Sequence, residues 1–221
     1  MFNILKIRVI LATVIAAIST FGAFDKSAAA DNGREWRFKV YLNDREIGYH
    51  SFQLADAGEE QRITSEARFK VKVLFFNAYR YEHVNTEQWE GNCLERIEAA
   101  TDVNGDAFSV LGAQRGDSFE VSTAEGSDSL PGCVKTFAYW NPEFLGASRL
   151  LNSQTGEYID VQVVLVSEAE TLSVKGQPVQ ATRYRLLADE LEIDLWYSTD
   201  REWLALESKL EKGRKLRYEL I

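Results

Sequence analysis

The sequence predicts a mainly β protein: a strongly curved antiparallel sheet or open half-barrel of roughly a dozen strands with one short helix. Three observations lead there. Apolar residues recur with a period of two along most of the chain. Clusters of Gly, Asn, Asp and Ser interrupt that pattern at the roughly 8–12-residue spacing of strands joined by turns. No helical period persists beyond about three turns.

The first strand is Trp36, Phe38, Val40 and Leu42 alternating with Arg37, Lys39 and Tyr41, ended by Asn43-Asp44. Ile47 and Tyr49 resume the alternation one residue out of phase with Phe52 and Leu54, which predicts a bulge near His50-Ser51. From Arg62 to Val73 the period is unbroken. Ile63, Ser65, Ala67, Phe69, Val71 and Val73 face one way, and a charged row with Arg62, Glu66, Arg68 and Lys70 faces the other. Tyr79 to Trp89 is another strand, with Tyr79, Tyr81, His83, Asn85, Glu87 and Trp89 on one face. Leu94 to Thr101 and Ala107 to Gln114 flank Asn104-Gly105, a hairpin signal because both residues tolerate positive φ. Asp102, Asn104 and Asp106 have only a superficial likeness to a calcium loop, since position 113 is Ala113 rather than a bidentate Glu. After Ser118 to Thr123, the polar stretch Ala124 to Gly132 reads as a loop. Asn141 as N-cap, Pro142 at the first helical position and Glu143 in the first turn mark the short helix. Tyr158 to Val166, Thr171 to Val174, Val179 to Leu187, Leu191 to Tyr197, Trp203 to Leu210 and Arg214 to Ile221 complete the strands. So wide a sheet curves rather than staying flat, and a sheet curved around a helix makes a pocket.

The start of the chain reads as an address. Lys6 and Arg8 precede an apolar run from Val9 to Phe24, and Ala28-Ala29-Ala30 supplies the small residues a signal peptidase reads. Residues 1–30 are therefore expected to be a signal peptide, and 31–221 a single all-β domain in the periplasm or secreted. The run is too short to cross a bilayer, so no transmembrane anchor is expected after cleavage. Removing Lys6, Arg8, Lys26 and Asp25 with the signal leaves a net charge of −11, which argues against nucleic acid as a partner. Export also sets the redox context for the two cysteines, Cys93 and Cys133, which are expected to form a disulfide. A redox site would need a Cys-x-x-Cys spacing, and with only His50 and His83 in the chain no metal site is expected.

Several phrases are similar to a family of exported bacterial proteins known only as a domain of unknown function: Trp36 to Leu42 leading to Ile47-Gly48, Tyr79-Arg80-Tyr81-Glu82-His83, Phe137 to Pro142, and Asp194 to Tyr197 followed by Trp203 to Leu206. The resemblance spans nearly all of 31–221. It implies an all-β periplasmic domain and no particular activity. In layout the chain also resembles periplasmic carrier folds, in which a half-barrel wraps a helix and shelters acyl chains.

The expected ligand-binding residues are Tyr79, Tyr81, His83, Trp89, Trp140 and Tyr197. On the Tyr79-to-Trp89 face, aromatic groups sit beside an imidazole, an amide and a carboxylate, and leaving such groups buried without partners costs roughly 1–3 kcal/mol each. His83 and Glu87 are four residues apart on one strand, too far for a direct catalytic pair. There is no Gly-x-Ser-x-Gly sequence, so no catalytic residue is assigned and no cofactor is expected. The leading expectation is a non-enzymatic binding or carrier module for an apolar or amphipathic small molecule or lipid. The alternatives are an envelope structural or protein-interaction domain with a filled core and a functional surface, and a hydrolase using scattered carboxylates with His83.

Overall fold

The computed structural model describes residues 33–221 apart from 58, 59, 74, 75 and 190. The expected signal peptide lies outside the described residues. Strands β1 (Arg34–Leu42), β2 (Arg45–Ala57), β3 (Glu60–Val73), β4 (Phe76–Glu90), β5 (Cys93–Val103), β6 (Asp106–Arg115), β7 (Ser118–Ser122) and β8 (Ser127–Pro131) follow one another as a meander. A small separate hairpin pairs β9 (Arg149–Leu151) with β10 (Tyr158–Asp160). A second meander follows: β11 (Gln162–Val174), β12 (Gln177–Ala188), β13 (Leu191–Ser198), β14 (Trp203–Lys209) and β15 (Lys215–Leu220). Pairing of β15 with β1 fuses the two meanders into one antiparallel sheet of thirteen strands, open between β11 and β8.

The sheet is strongly curved. Ile193 on β13 and His83 on β4 line the same cavity. Those strands are six steps apart in the sheet order, which on a flat sheet would separate them by about 29 Å. Curvature is also what lets Phe38 and Phe52 pack on Trp203 of β14, with ring centroids 4.2 and 5.1 Å apart. On the outer face Asp194 is buried under Arg183 and Arg185, an ionic clasp between β12 and β13.

Three local expectations are corrected. The bulge in β2 falls at Ile47, not near His50-Ser51: Val40 pairs with Gly48 and Tyr41 with Glu46, which leaves Ile47 unpaired. His50, Phe52 and Leu54 therefore share one phase and face inward, whereas Tyr49 points outward and donates to Glu66. The Gly48 backbone approaches so closely that a Cβ there would stand 1.8 Å from the Arg68 carbonyl oxygen. The stretch Ala124 to Gly132 is not all loop, because β8 pairs with β7 through backbone bonds that its polar side chains do not advertise. Tyr158 to Val166 is not one strand; β10 belongs to the small hairpin and β11 begins at Gln162.

The interior plug is more than a helix. Pro142–Gly146 forms a single 3-10 turn capped by Asn141, whose side-chain oxygen accepts from the Glu143 N–H. It belongs to an irregular segment, 133–160, that crosses the concave face and buries Val134, Ala138, Trp140, Phe144, Leu150 and Leu151. The Cys93–Cys133 disulfide ties its start to β5. Leu94 N–H donating to the Val134 carbonyl continues that attachment.

Candidate functional site

The alternation of β2, β3 and β4 lays inward side chains in cross-strand rows. His50, Ala67, His83 and Thr101 form one row; Phe52, Ser65, Asn85 and Ala99 form the next. In both rows the β3 residue is small, so the larger side chains flanking it, His50 and His83 in one row and Phe52 and Asn85 in the other, stand around a gap. The plug roofs that gap with Thr136 to Trp140 and with the turn Asn152 to Gln154. Ile193 and Tyr218 close it from the other meander, and the resulting cavity is about 240 Å³. A larger groove of about 560 Å³ lies over the outer face beneath the β11–β12 turn, lined by Trp196, Leu204 and Arg217 among others. Only the inner cavity is bordered by buried polar atoms that lack a protein partner.

Each polar group has a defined setting. His83 lies with Nδ1 2.8 Å from Thr101 Oγ1 and Nε2 3.4 Å from Ser153 Oγ. Its ring meets no carboxylate through either contact. Glu87 accepts from Asn85 Nδ2 at 2.8 Å and from Trp89 Nε1 at 2.9 Å. His50 stacks against Phe52 at 4.1 Å, with Nδ1 3.2 Å from the Tyr218 hydroxyl. Tyr81 donates to Gln154 at 3.2 Å. His50 Nε2 and Asn85 Oδ1 are buried and have no protein partner.

The cavity holds its imidazoles and phenols neutral. Burial lowers His83 to about 4. Burial, reinforced by the nearby His83, lowers His50 to about 3. The Tyr81, Tyr139, Tyr197 and Tyr218 phenols are all raised, chiefly by burial. Burial also raises Glu87, against the opposing bonds from Asn85 and Trp89. At neutral pH these imidazoles and phenols offer hydrogen-bond donors and acceptors rather than charges.

Of the residues singled out from the sequence, Tyr81, His83 and Trp140 line the cavity. Tyr79 stacks beyond Tyr81, with centroids 6.5 Å apart. Trp89 sits behind Glu87 and meets Trp140 edge-on at 5.7 Å. Tyr197 donates to the Tyr139 carbonyl at 2.8 Å, fastening the plug to β13. His50, Ser65, Ser153, Gln154 and Tyr218 are lining residues that sequence reasoning missed. The unbroken phase of His50 with Phe52 was the available signal, hidden by the misplaced bulge. Among the described residues, no group of three His, Cys, Asp or Glu side chains could hold a metal ion, and no helix is long and apolar enough to cross a membrane.

Comparison with known proteins agrees with this architecture. No curated protein matches the chain. A beta-barrel-like protein of the domain of unknown function DUF1849 from Brucella abortus, known from a crystal structure, is similar in fold. It has a TM-score of 0.61 at 11% identity, covering 85% of this chain and 94% of that chain. A family model described as Domain of unknown function (DUF6134) matches residues 38–221. An open sheet of thirteen strands around an irregular plug is thus the form taken here by the DUF6134 family, to which this chain belongs.

Proposed function

We propose that the chain is an exported binding module whose internal cavity takes a small, compact guest. The observation that carries this reading is the chamber of about 240 Å³ bordered by His50 Nε2, Asn85 Oδ1 and Thr136 Oγ1, three buried polar atoms without protein partners. Unsatisfied buried groups of this kind are stabilised by a ligand or by ordered water. The volume lies below the roughly 300–1,000 Å³ of drug-sized sites. It favours a single-ring molecule and disfavours an acyl chain or a whole lipid. Export is supported by the Cys93–Cys133 disulfide, which suits an oxidising compartment. Native mass spectrometry of protein purified without denaturation tests the binding reading: a bound species of one-ring size is expected, and it is expected to disappear in Ser65→Leu. Recovery of ligand-free protein, together with no thermal shift across a library of small molecules, would overturn it. Residues 1–30 fused to a reporter active only outside the cytoplasm test export.

A second reading, docking of an envelope protein, is favoured by Leu165 and Val166, exposed side by side on the edge strand β11. Pull-down with Leu165→Lys as the control separates the two, since that change leaves the cavity untouched.

A further inference from the structure

The hydrogen-bonding atoms of the cavity constrain its guest further, an argument that rests on the binding reading above. His50 Nδ1 lies 3.2 Å from the Tyr218 hydroxyl. A phenol donating into Nδ1 places the ring proton of a neutral imidazole on Nε2, the buried atom without a protein partner. In that tautomer His50 presents an N–H donor to the chamber. Asn85 presents the reverse. Its Nδ2 is committed to Glu87, which fixes the amide orientation and leaves Oδ1 as a buried acceptor.

The two groups stand on either side of β3. His50 is on β2 and Asn85 on β4, with β3 between them, and their rows are two residues apart along the strands. On a flat sheet that offset is about 12 Å between backbones, and both side chains reach inward from it. The walls between are aromatic, from Phe52, Tyr81 and Tyr139. An anion meets no Lys or Arg in the lining, and a cation meets only Glu87, whose oxygens already accept from Asn85 and Trp89, so desolvating an ion there is far costlier than desolvating a hydrogen-bonded neutral group.

We infer that the cavity selects an uncharged aromatic molecule with a hydrogen-bond acceptor at one end, met by His50, and a donor at the other, met by Asn85. The discriminating probes are 4-hydroxyacetophenone, which has both groups across one ring, and 4-ethyltoluene, its apolar counterpart of similar shape. Tyramine and 4-hydroxybenzoate supply the two charges. Titration calorimetry of the purified protein at pH 7.5 is expected to give 4-hydroxyacetophenone at least tenfold tighter binding than the other three. His50→Phe, which keeps a ring, and Asn85→Leu are each expected to reduce its advantage over 4-ethyltoluene to less than threefold. Equal or tighter binding of 4-ethyltoluene would overturn the donor–acceptor assignment while leaving a binding cavity in place. So would preferential binding of either charged probe. Should none of the four bind to protein whose circular dichroism confirms folding, the inference fails; if no guest is recovered by native mass spectrometry either, the binding reading fails with it. If Asn85→Leu does not fold, His50→Phe alone decides.

Discussion

Acidifying the solution to pH 5.5 is the sharpest test of the cavity's electrostatics. His50 and His83 are held at about 3 and about 4 by burial, whereas an unfolded histidine titrates near 6.5. Folded-state values depressed in this way contribute stability that is complete above the unfolded pKa and is lost as pH falls toward the folded one. Between pH 8 and pH 5.5 the unfolded chain takes up protons at both residues and the folded chain at neither. Linkage then gives a loss of about 1.4 kcal/mol per histidine, about 2.8 kcal/mol together. The choice of pH 5.5 makes the figure insensitive to the folded values, provided they lie below about 4.5, and keeps most carboxylates ionised. Glu87, raised by burial, acts in the opposite sense: protonation at low pH favours its folded state. Urea unfolding at the two pH values measures the difference, and His83→Gln is expected to remove about half of it. A loss unchanged in His83→Gln would show that this ring titrates as if solvated.

Other perturbations probe the frame around the cavity. Gly48→Ala places a Cβ against the Arg68 carbonyl oxygen at a φ of +153°; a destabilisation of about 3 kcal/mol or more is expected, read as a fall in thermal midpoint of roughly 6–12 °C. Reducing Cys93–Cys133 opens a link between residues 40 apart in sequence, and a loss of about 4 kcal/mol by the chain-entropy account should appear between melts with and without reductant. Ser65→Leu puts a larger side chain into the cavity lining; binding of 4-hydroxyacetophenone should vanish while the circular dichroism spectrum persists.

The fold was legible wherever one strand face is buried and the other wet. β3 and β4 alternate so strictly that Ile63, Ser65, Ala67 and Tyr81, His83, Asn85 could be assigned to one face without knowing their partners. The turns at Asn104-Gly105 and Lys175-Gly176 were equally plain, and Asn104, Gly105, Lys175 and Gly176 all have positive φ. β8 escaped notice because an edge strand of Ser, Asp, Ser, Leu and Pro pairs by its backbone and carries no apolar alternation. The plug escaped because Thr136, Ala138 and Trp140 are buried by an irregular path without a period. Half of the site was hidden for a third reason. Tyr218 meets His50 across 168 residues of sequence, and no local pattern encodes which strand of one meander will face a given strand of the other.

The β15–β1 seam joins residues as far apart as Phe38 and Leu220, and it has a consequence for the order of assembly. Every other pairing in the large sheet links strands adjacent along the chain, so each meander can zip up from its own hairpins. The seam alone must overcome the entropy of closing almost the whole polypeptide into a loop, and contacts of such separation form slowly. Until β15 docks, β1 keeps one edge unpaired, and in that interval the chain is most open to wrong strand partners.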